Sequence, residues 1–376
     1  MPSDFTTIEV GFSAQTSERQ TQEIVDNKLE RRRKGIYGPK VGTVQGKAVL
    51  FVDDLNMPQK EDWGAQPPIE ILRQFLDSGG WYDNKDKDKP FRKVQDVYFV
   101  AAMGPPGGGK TFITPRMLRH LNLISLANFD DDVMIKIFST ILQWYFIKGK
   151  FLPEVSKQEN KIVTATLDIY KFAFNKLLPT PLKSHYLFNL RDYGKVIFGV
   201  CLADCTSLTT QEQAVKLWTH EIMRVFSDRL INMDDREVLL EYTKETVKNR
   251  FGLNFDTVFA YLDTFNEYGV KDSTIDTMEI RALTWTDCSS SPGSVNRSYE
   301  EVNDYTKLNA ACTEQLAGYN MQNPDKIMDL ALFNFAVEHL LIIARILKNP
   351  GGNALCVGMG GSGRQSLTRL AAFMQE

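Results

Sequence analysis

Between Lys47 and Pro58 the chain reads KAVLFVDDLNMP: five apolar residues in a row, two carboxylates, and then a proline that stops the element. A short apolar run of this kind, without polar alternation, reads as a strand buried in a parallel sheet. VQDVYFVAAM (residues 94–103) reads the same way, and FTTIEVGFS (residues 5–13) alternates well enough for a third strand. PPIEILRQFLDSGG is a short helix, opened by Pro67 and Pro68 and closed by Gly79 and Gly80. SERQTQEIVDNKLERRRKG reads as another, with Ser17 as N-cap and Gly35 just past its end. On that reading Glu30–Lys34 is a basic helix end that suits the macrodipole and faces solvent. WYDNKDKDKPFRK is a polar hairpin or loop. Strands alternating with helices predict a parallel α/β sheet.

From about Asp130 the pattern becomes helical. DVMIKIFSTILQWYFIKG, VSKQENKIVTATLDIYKFAFNKLL, LRDYGKVIFGVCLAD, TQEQAVKLWTHEIMRVFSDRLI and REVLLEYTKETVKNRFG predict an all-helical domain. Trp218, Met223, Val225 and Phe226 fall at core spacing. His220 and Glu221 lack the second histidine that a metalloprotease helix needs. The polar patch TDCSSSPGSVNRS marks a boundary. Two further helices follow, then an apolar strand NALCV, a glycine turn GMGGSG and a helix RQSLTRLAAFMQE, as though the α/β start recurs.

Totals exclude several classes. With 43% apolar and 24% charged residues the chain is neither disordered nor collagen-like, and a net charge of -3 predicts no nucleic-acid wrap and no polybasic membrane surface. Five scattered cysteines without a C-x-x-C pair, and four separated histidines, indicate neither a disulfide framework nor a zinc site; they suit a reducing compartment.

GPPGGGKT (Gly104–Thr111) matches the phosphate-loop pattern G-x-x-x-x-G-K-[ST] letter for letter. Such a loop works by aiming backbone N–H groups at phosphates from a helix N-terminus. Pro115 interrupts the helix that should follow, so the stretch reads better as a loop with a new helix starting at Pro115, capped by Thr114. The order is also reversed, because the acid-tipped strand comes first. GMGGSGRQS (Gly358–Ser366) is the poorer match, with Arg364 for lysine and Gln365 for the hydroxyl residue. Its setting is better, strand before and proline-free helix after. We read Gly358, Gly360, Gly361, Ser362, Gly363, Arg364, Gln365 and Ser366 as a phosphate-contacting loop ill equipped for hydrolysis, since arginine does not replace lysine.

VGFSAQTSERQTQEIVDNKLERRRKGIYGP, VLFVDDLNMPQKEDWGAQPPIEILRQFLD, FVAAMGPPGGGKTFITPRMLRHLNLI, SHYLFNLRDYGKVIFGV, LWTHEIMRVFSDRLI and NALCVGMGGSGRQSLTRLAAFM together resemble the motor ring of a dynein heavy chain of the axonemal type. The resemblance spans nearly the whole chain. It implies a truncated AAA+ α/β subdomain over 1–128, the later part of the third ring module; its helical lid over 129–272; and linker helices with the start of the fourth module over 273–376. It implies that the third module's phosphate loop lies upstream of Met1, and that GPPGGGKT follows the sensor strand, with Gly104 where cytoplasmic members carry a γ-phosphate-sensing asparagine.

By the same resemblance, Asp53 holds Mg2+ through water and Asp54 orients the water that attacks ATP, its side chain shorter than the glutamate common there. Arg116 or Arg119, one turn apart, is the arginine finger for the preceding module; an ordinary salt bridge is the plain alternative. Arg191, with Asn189 as cap, is the second sensor; its plain alternative is an ion pair with Asp192. The implied partners are the neighbouring AAA+ modules, dynein intermediate and light chains, and a microtubule bound through regions outside this chain, with no nucleic acid and no membrane. The implied location is the cytoplasm and cytoskeleton, in the axoneme of a cilium or flagellum. Two alternatives stand beside a motor ATPase: a structural module that binds nucleotide without turning it over, and a free-standing P-loop kinase using Lys110.

Overall fold

The computed structural model describes all residues except 1–3, 42–43, 108, 128, 265–270, 272, 289–296, 303, 350 and 376. The chain divides into two compact units, Met1–Ala127 and Asn128–Glu376. The expected boundaries at 128/129 and 272/273 each touch a residue outside the described set, as do Gly108 and most of the polar patch.

The first unit runs β1 (Phe5–Gly11), α1 (Glu18–Asp26), β2 (Leu29–Arg33), β3 (Ile36–Val41), β4 (Val44–Gln45), β5 (Lys47–Asp53), α2 (Pro67–Ser78), β6 (Gly80–Tyr82), β7 (Phe91–Val94), β8 (Val97–Ala101) and α3 (Pro115–Leu118). The apolar run forms β5, the middle strand of a parallel sheet ordered β1-β5-β8. Its burial alternates where the sequence predicts two buried faces. Ala48, Leu50 and Val52 are buried with Ile8 and Val10 of β1 and Ile69, Leu72 and Phe75 of α2, while Val49 and Phe51 are half-covered. The other side of the sheet is more open, and Tyr98 and Val100 of β8 are exposed. Helix α1 begins as expected: the Ser17 hydroxyl accepts from the Gln20 N–H, and the Gln20 side chain accepts from the Ser17 N–H.

Its end is not where the sequence places it. The helix stops at Asp26, and Leu29–Arg33 is a strand paired antiparallel with β3. Arg33 faces Ile36 across a two-residue turn, and Gly35 supplies a φ of +73°, so this glycine makes a hairpin rather than closing a helix. Nor is the arginine run simply solvated. The Arg32 guanidinium is nearly buried, ion-paired with Asp96 and donating to the Gly46 carbonyl at 2.8 Å. The predicted polar hairpin is β6–β7.

The second unit runs α4 (Asp131–Lys148), α5 (Pro153–Ser156), α6 (Glu159–Lys176), α7 (Leu190–Val200), α8 (Gln211–Ile222), α9 (Met233–Thr246), α10 (Phe255–Val258), a ribbon of β9 (Trp285–Thr286) and β10 (Glu300–Glu301), then α11 (Tyr305–Gln322), α12 (Asn334–Lys348) and α13 (Arg364–Gln375). Helices α8 and α9 each end in a π-helical turn, Met223–Ser227 and Val247–Phe251. Trp218 and Phe226 are fully buried in the main core, where the Trp218 indole N–H donates to the Thr166 hydroxyl at 2.9 Å. A separate core joins α11, α12 and α13 around Cys312, Val337, Leu340 and Leu370. The expected strand NALCV is absent: residues 353–357 are irregular, with Leu355 and Val357 largely exposed. Among the described residues no other strand runs beside it, and an apolar run becomes a strand only with a neighbour to complete its ladder. Among those residues, too, no helix is long and apolar enough to cross a membrane.

Candidate functional site

Strand β5 delivers two carboxylates to one point. Asp53 is the last strand residue, level with Gly11 of β1, and its carbonyl accepts from the Phe12 N–H at 3.0 Å. The next residue turns sharply: Asp54 has φ +53°, in the left-handed region that aspartate and asparagine tolerate better than other side chains. Its N–H donates to Asp53 Oδ1 at 3.0 Å. The two acids are therefore adjacent and held by the sheet. Asp53 is exposed and has no cationic partner among the described residues.

Behind them lies a set of buried amides. Asn56 is fully buried; its Nδ2 donates to the Gly104 carbonyl at 2.9 Å, while its Oδ1 has no donor among the described residues. Its carbonyl accepts from both the N–H and the hydroxyl of Thr111, at 2.9 and 3.1 Å. Gln66 Nε2 donates to that hydroxyl and to the Pro58 carbonyl, each at 2.7 Å. The loop 104–111 is thus tied to the turn after β5. Replacing Asn56 with leucine should strand the Gly104 carbonyl at a cost of about 1–3 kcal/mol, visible as faster amide exchange at Leu55, whose N–H donates to the Ala102 carbonyl and closes the same turn.

GPPGGGKT is not followed by the helix on whose N-terminus a phosphate cradle is built. Residues 111–114 form no helix, and the next helix, α3, begins at Pro115 as expected; the expected cap is not made, because the Thr114 side chain forms no capping bond. Thr111 is committed to Asn56 and Gln66, and Lys110 Nζ lies 2.7 Å from Asp54 Oδ1. Lys110 beside Asp54 and the Asn56–Gln66 pair are the features that sequence reasoning missed. Only the matching charges of Lys110 and Asp54 could have pointed to them.

Arg116 and Arg119 both reach α2. Arg119 bonds Asp77 at 2.9 Å, whereas Arg116 sits 3.8 Å from Glu70 and is about two-thirds exposed. Arg119 is thus engaged in the plain salt bridge, and Arg116 is the freer of the two. In the second unit Arg191 lies at the N-terminus of α7, where Asn189 Oδ1 accepts from the Arg191 and Asp192 N–H groups. Asp192 is held by Arg229 at 2.7 Å and Lys195 at 3.2 Å, not by Arg191, whose exposed guanidinium has no partner among the described residues. Residues 358–363 form a largely exposed turn into α13, with Gly361 and Gly363 at φ +81° and +72°. There Arg364 donates to the Met359 carbonyl of its own loop at 3.2 Å, and a β-carbon on Gly358 would meet the Ser362 hydroxyl at 2.9 Å.

No cluster of three or more acidic, histidine or cysteine side chains that could hold a metal exists among the described residues. A protein cage for a cation is thus absent there, but two successive acids, of which Asp53 has no cationic partner among the described residues, suit Mg2+, which keeps water ligands and takes the rest from phosphates.

A parallel sheet with an acid pair at the tip of its central strand, followed in the chain by a helical unit and a glycine loop opening a helix, is the arrangement of AAA+ α/β and lid domains. Residues 1–129 match the family described as P-loop containing dynein motor region, 162–260 the AAA+ lid domain, and 328–376 the P-loop containing dynein motor region D4. Among similar proteins, Dynein axonemal heavy chain 12 of Mus musculus is 44% identical over 366 residues, covering 97% of this chain and 12% of that protein. Dynein axonemal heavy chain 3 of Homo sapiens is 46% identical over 366 residues, 97% of this chain and 8% of that protein. The chain belongs to the dynein heavy-chain family, with axonemal members as its relatives. It spans only 8–12% of the length of these two relatives.

Proposed function

We propose that this chain is a section of a dynein motor ring in which Asp53 and Asp54 serve an ATP site with Mg2+. The observation that carries the reading is the exposed Asp53 carboxylate, without a cationic partner among the described residues, beside Asp54 at the tip of the central strand. Asp53 would hold Mg2+ through water and Asp54 would orient the attacking water; bound Mg2+ neutralises charge on the phosphates. The phosphate cradle for this pair comes from another stretch of the heavy chain, because Thr111 is tied to Asn56 and Gln66 and no helix directly follows the 104–111 loop. Residues 1–128 form the later part of the third module, 129–272 its lid, and 273–376 linker helices and the start of the fourth, where Gly358–Ser366 contacts phosphate. Arg191, unpaired at a helix start, brings the lid onto nucleotide. Arg116, more loosely held than Arg119, is the finger for the preceding module.

In the parent protein, nucleotide state here biases rearrangement of neighbouring modules and so contributes to microtubule-based ciliary movement. The track, the intermediate and light chains and the axonemal location belong to that parent; the isolated chain does not walk. A second reading, tight binding without turnover, is favoured by Gly104 and by Arg364 in place of lysine. Asp53→Ala in the intact heavy chain tests the site itself. An outer-sphere partner of the metal is worth about 10–100-fold in metal affinity, so MgATP binding at this module should weaken by that order. Unchanged, magnesium-dependent binding would show that the acids are only a solvated strand end.

A further inference from the structure

The Lys110 ammonium does more than meet Asp54 Oδ1 at 2.7 Å. A β-carbon built on Gly104 would lie 2.9 Å from Lys110 Nζ and 3.5 Å from its Cδ, so the lysine fills the volume a side chain at 104 would take. Gly104 and Lys110 thus act as a unit: the absent side chain makes room for the cation. The backbone presents Lys110 on a tight turn, in which Gly107 and Lys110 exchange N–H···O bonds of 3.0 and 3.1 Å, with Gly107 and Gly109 at φ +132° and +91°. Thr111 anchors that turn to Asn56, so the backbone at the base of the lysine is fixed.

Lys110 and Asp54 side chains remain 27% and 38% exposed. A pair this open is held weakly, because water screens it, and either partner exchanges readily for a stronger one. The terminal phosphate of a nucleoside triphosphate is such a partner, with more charge than one carboxylate and several acceptor oxygens for a point-charge donor.

We infer that Lys110 is the group of this site that distinguishes nucleoside triphosphate from diphosphate. Without a terminal phosphate its ammonium holds Asp54; with one, it transfers to a terminal phosphate oxygen and leaves Asp54 free to orient water. The exchange breaks one ion pair and forms another, with no covalent step. It rests on the reading of Asp53 and Asp54 as an ATP site. Lys110 is a positioning residue for Asp54 as much as a ligand of the phosphate.

The test uses the intact heavy chain with the phosphate loops of its other modules disabled, and measures ATP and ADP dissociation constants for wild type, Lys110→Met, Lys110→Arg, Asp54→Asn and Asp53→Ala. Loss of one charge-assisted contact predicts that Lys110→Met weakens ATP about tenfold while ADP binding holds within about twofold of wild type. Lys110→Arg should recover most of the loss. Asp54→Asn should tighten ATP, because the lysine no longer has to leave a carboxylate. Equal loss for both nucleotides, or none for either, would overturn the role of Lys110 while leaving the site intact. Nucleotide binding insensitive to Asp53→Ala would instead remove the ATP site, and the inference with it.

Discussion

Replacing Glu221 with alanine is expected to destabilise the second unit by about 3–5 kcal/mol, the largest effect of any single substitution considered. Glu221 is fully buried near the end of α8, and its carboxylate is the hub of a network. It is ion-paired with the Arg345 guanidinium of α12, accepts from the Tyr299 hydroxyl at 3.0 Å, and lies 3.2 Å from His220 Nδ1. Arg345 is itself nearly buried, so truncating Glu221 leaves a cation in the interior without its counter-charge. Helix α7 makes room for the carboxylate with Gly199, where a β-carbon would stand 1.8 Å from Glu221 Oε2. For a unit of this size each kcal/mol moves the melting temperature by about 2–4 °C, so a fall of roughly 10 °C should be seen by calorimetry. The paired change Glu221→Leu with Arg345→Met should recover most of it, because a matched apolar pair removes both desolvation costs. A loss below about 1 kcal/mol would mean that the network behaves like a surface salt bridge.

The same cluster fixes a pH dependence. Burial pushes His220 down to about 4 from an ordinary 6.5, and its bond to Glu221 offsets only part of that. Burial alone would raise Glu221, but the Arg345 charge overrides it and holds the carboxyl at about 2, below its usual 4.5. In both cases the unfolded chain binds the proton more readily, so stability rises with pH. The histidine contribution is complete above pH 6.5 and fades as pH falls towards 4; the glutamate contribution is complete above 4.5 and fades towards 2. Unfolding midpoints should therefore drop on acidification from pH 7, and His220→Asn should flatten the upper part of that drop.

What could be read beforehand was whatever depends on short-range pattern. The strand tipped by Asp53, the helix opened by Pro67–Pro68, the caps at Ser17 and Asn189, and the break before Pro115 all follow from local sterics and hydrogen bonding, and the structure has each of them. The failures are places where a partner remote in sequence decides. LERRR continues a helical pattern, yet it becomes β2 because a glycine turn folds β3 back onto it and Asp96 and Gly46 receive Arg32. NALCV has strand composition but no neighbouring strand among the described residues. Lys110 sits 56 residues from Asp54 in sequence, and its role in the octapeptide pattern hid the pairing that the fold imposes. The π-turn after α8 continues an amphipathic helix whose letters show no interruption.

Asp54→Asn is expected to slow ATP turnover at this module by about 10²–10⁴-fold, the range for a side chain that accepts or directs a proton in the reaction, while ATP still binds. The substitution is chosen from the backbone. At φ +53° a β-branched or bulky residue would be strained, whereas asparagine is tolerated in that region and keeps the shape of the side chain. It removes the charge that a nucleophilic water would need, and leaves Asp53, the proposed metal partner, in place. It also explains why a shorter acid can stand here. The sharp turn after β5 favours aspartate over glutamate at the turning residue, and the Asp54 N–H, donating to Asp53 Oδ1, holds the backbone of that turn. Single-turnover measurements on the intact heavy chain, with the other phosphate loops disabled, give the rate; microtubule gliding by an otherwise wild-type heavy chain shows whether that rate gates movement. Slower turnover with slower gliding identifies a gating ATPase. Turnover already negligible in the wild type, with gliding velocity unchanged by Asp54→Asn, would mean that the acid pair holds nucleotide as a structural part of the ring and that no hydrolysis here drives motion.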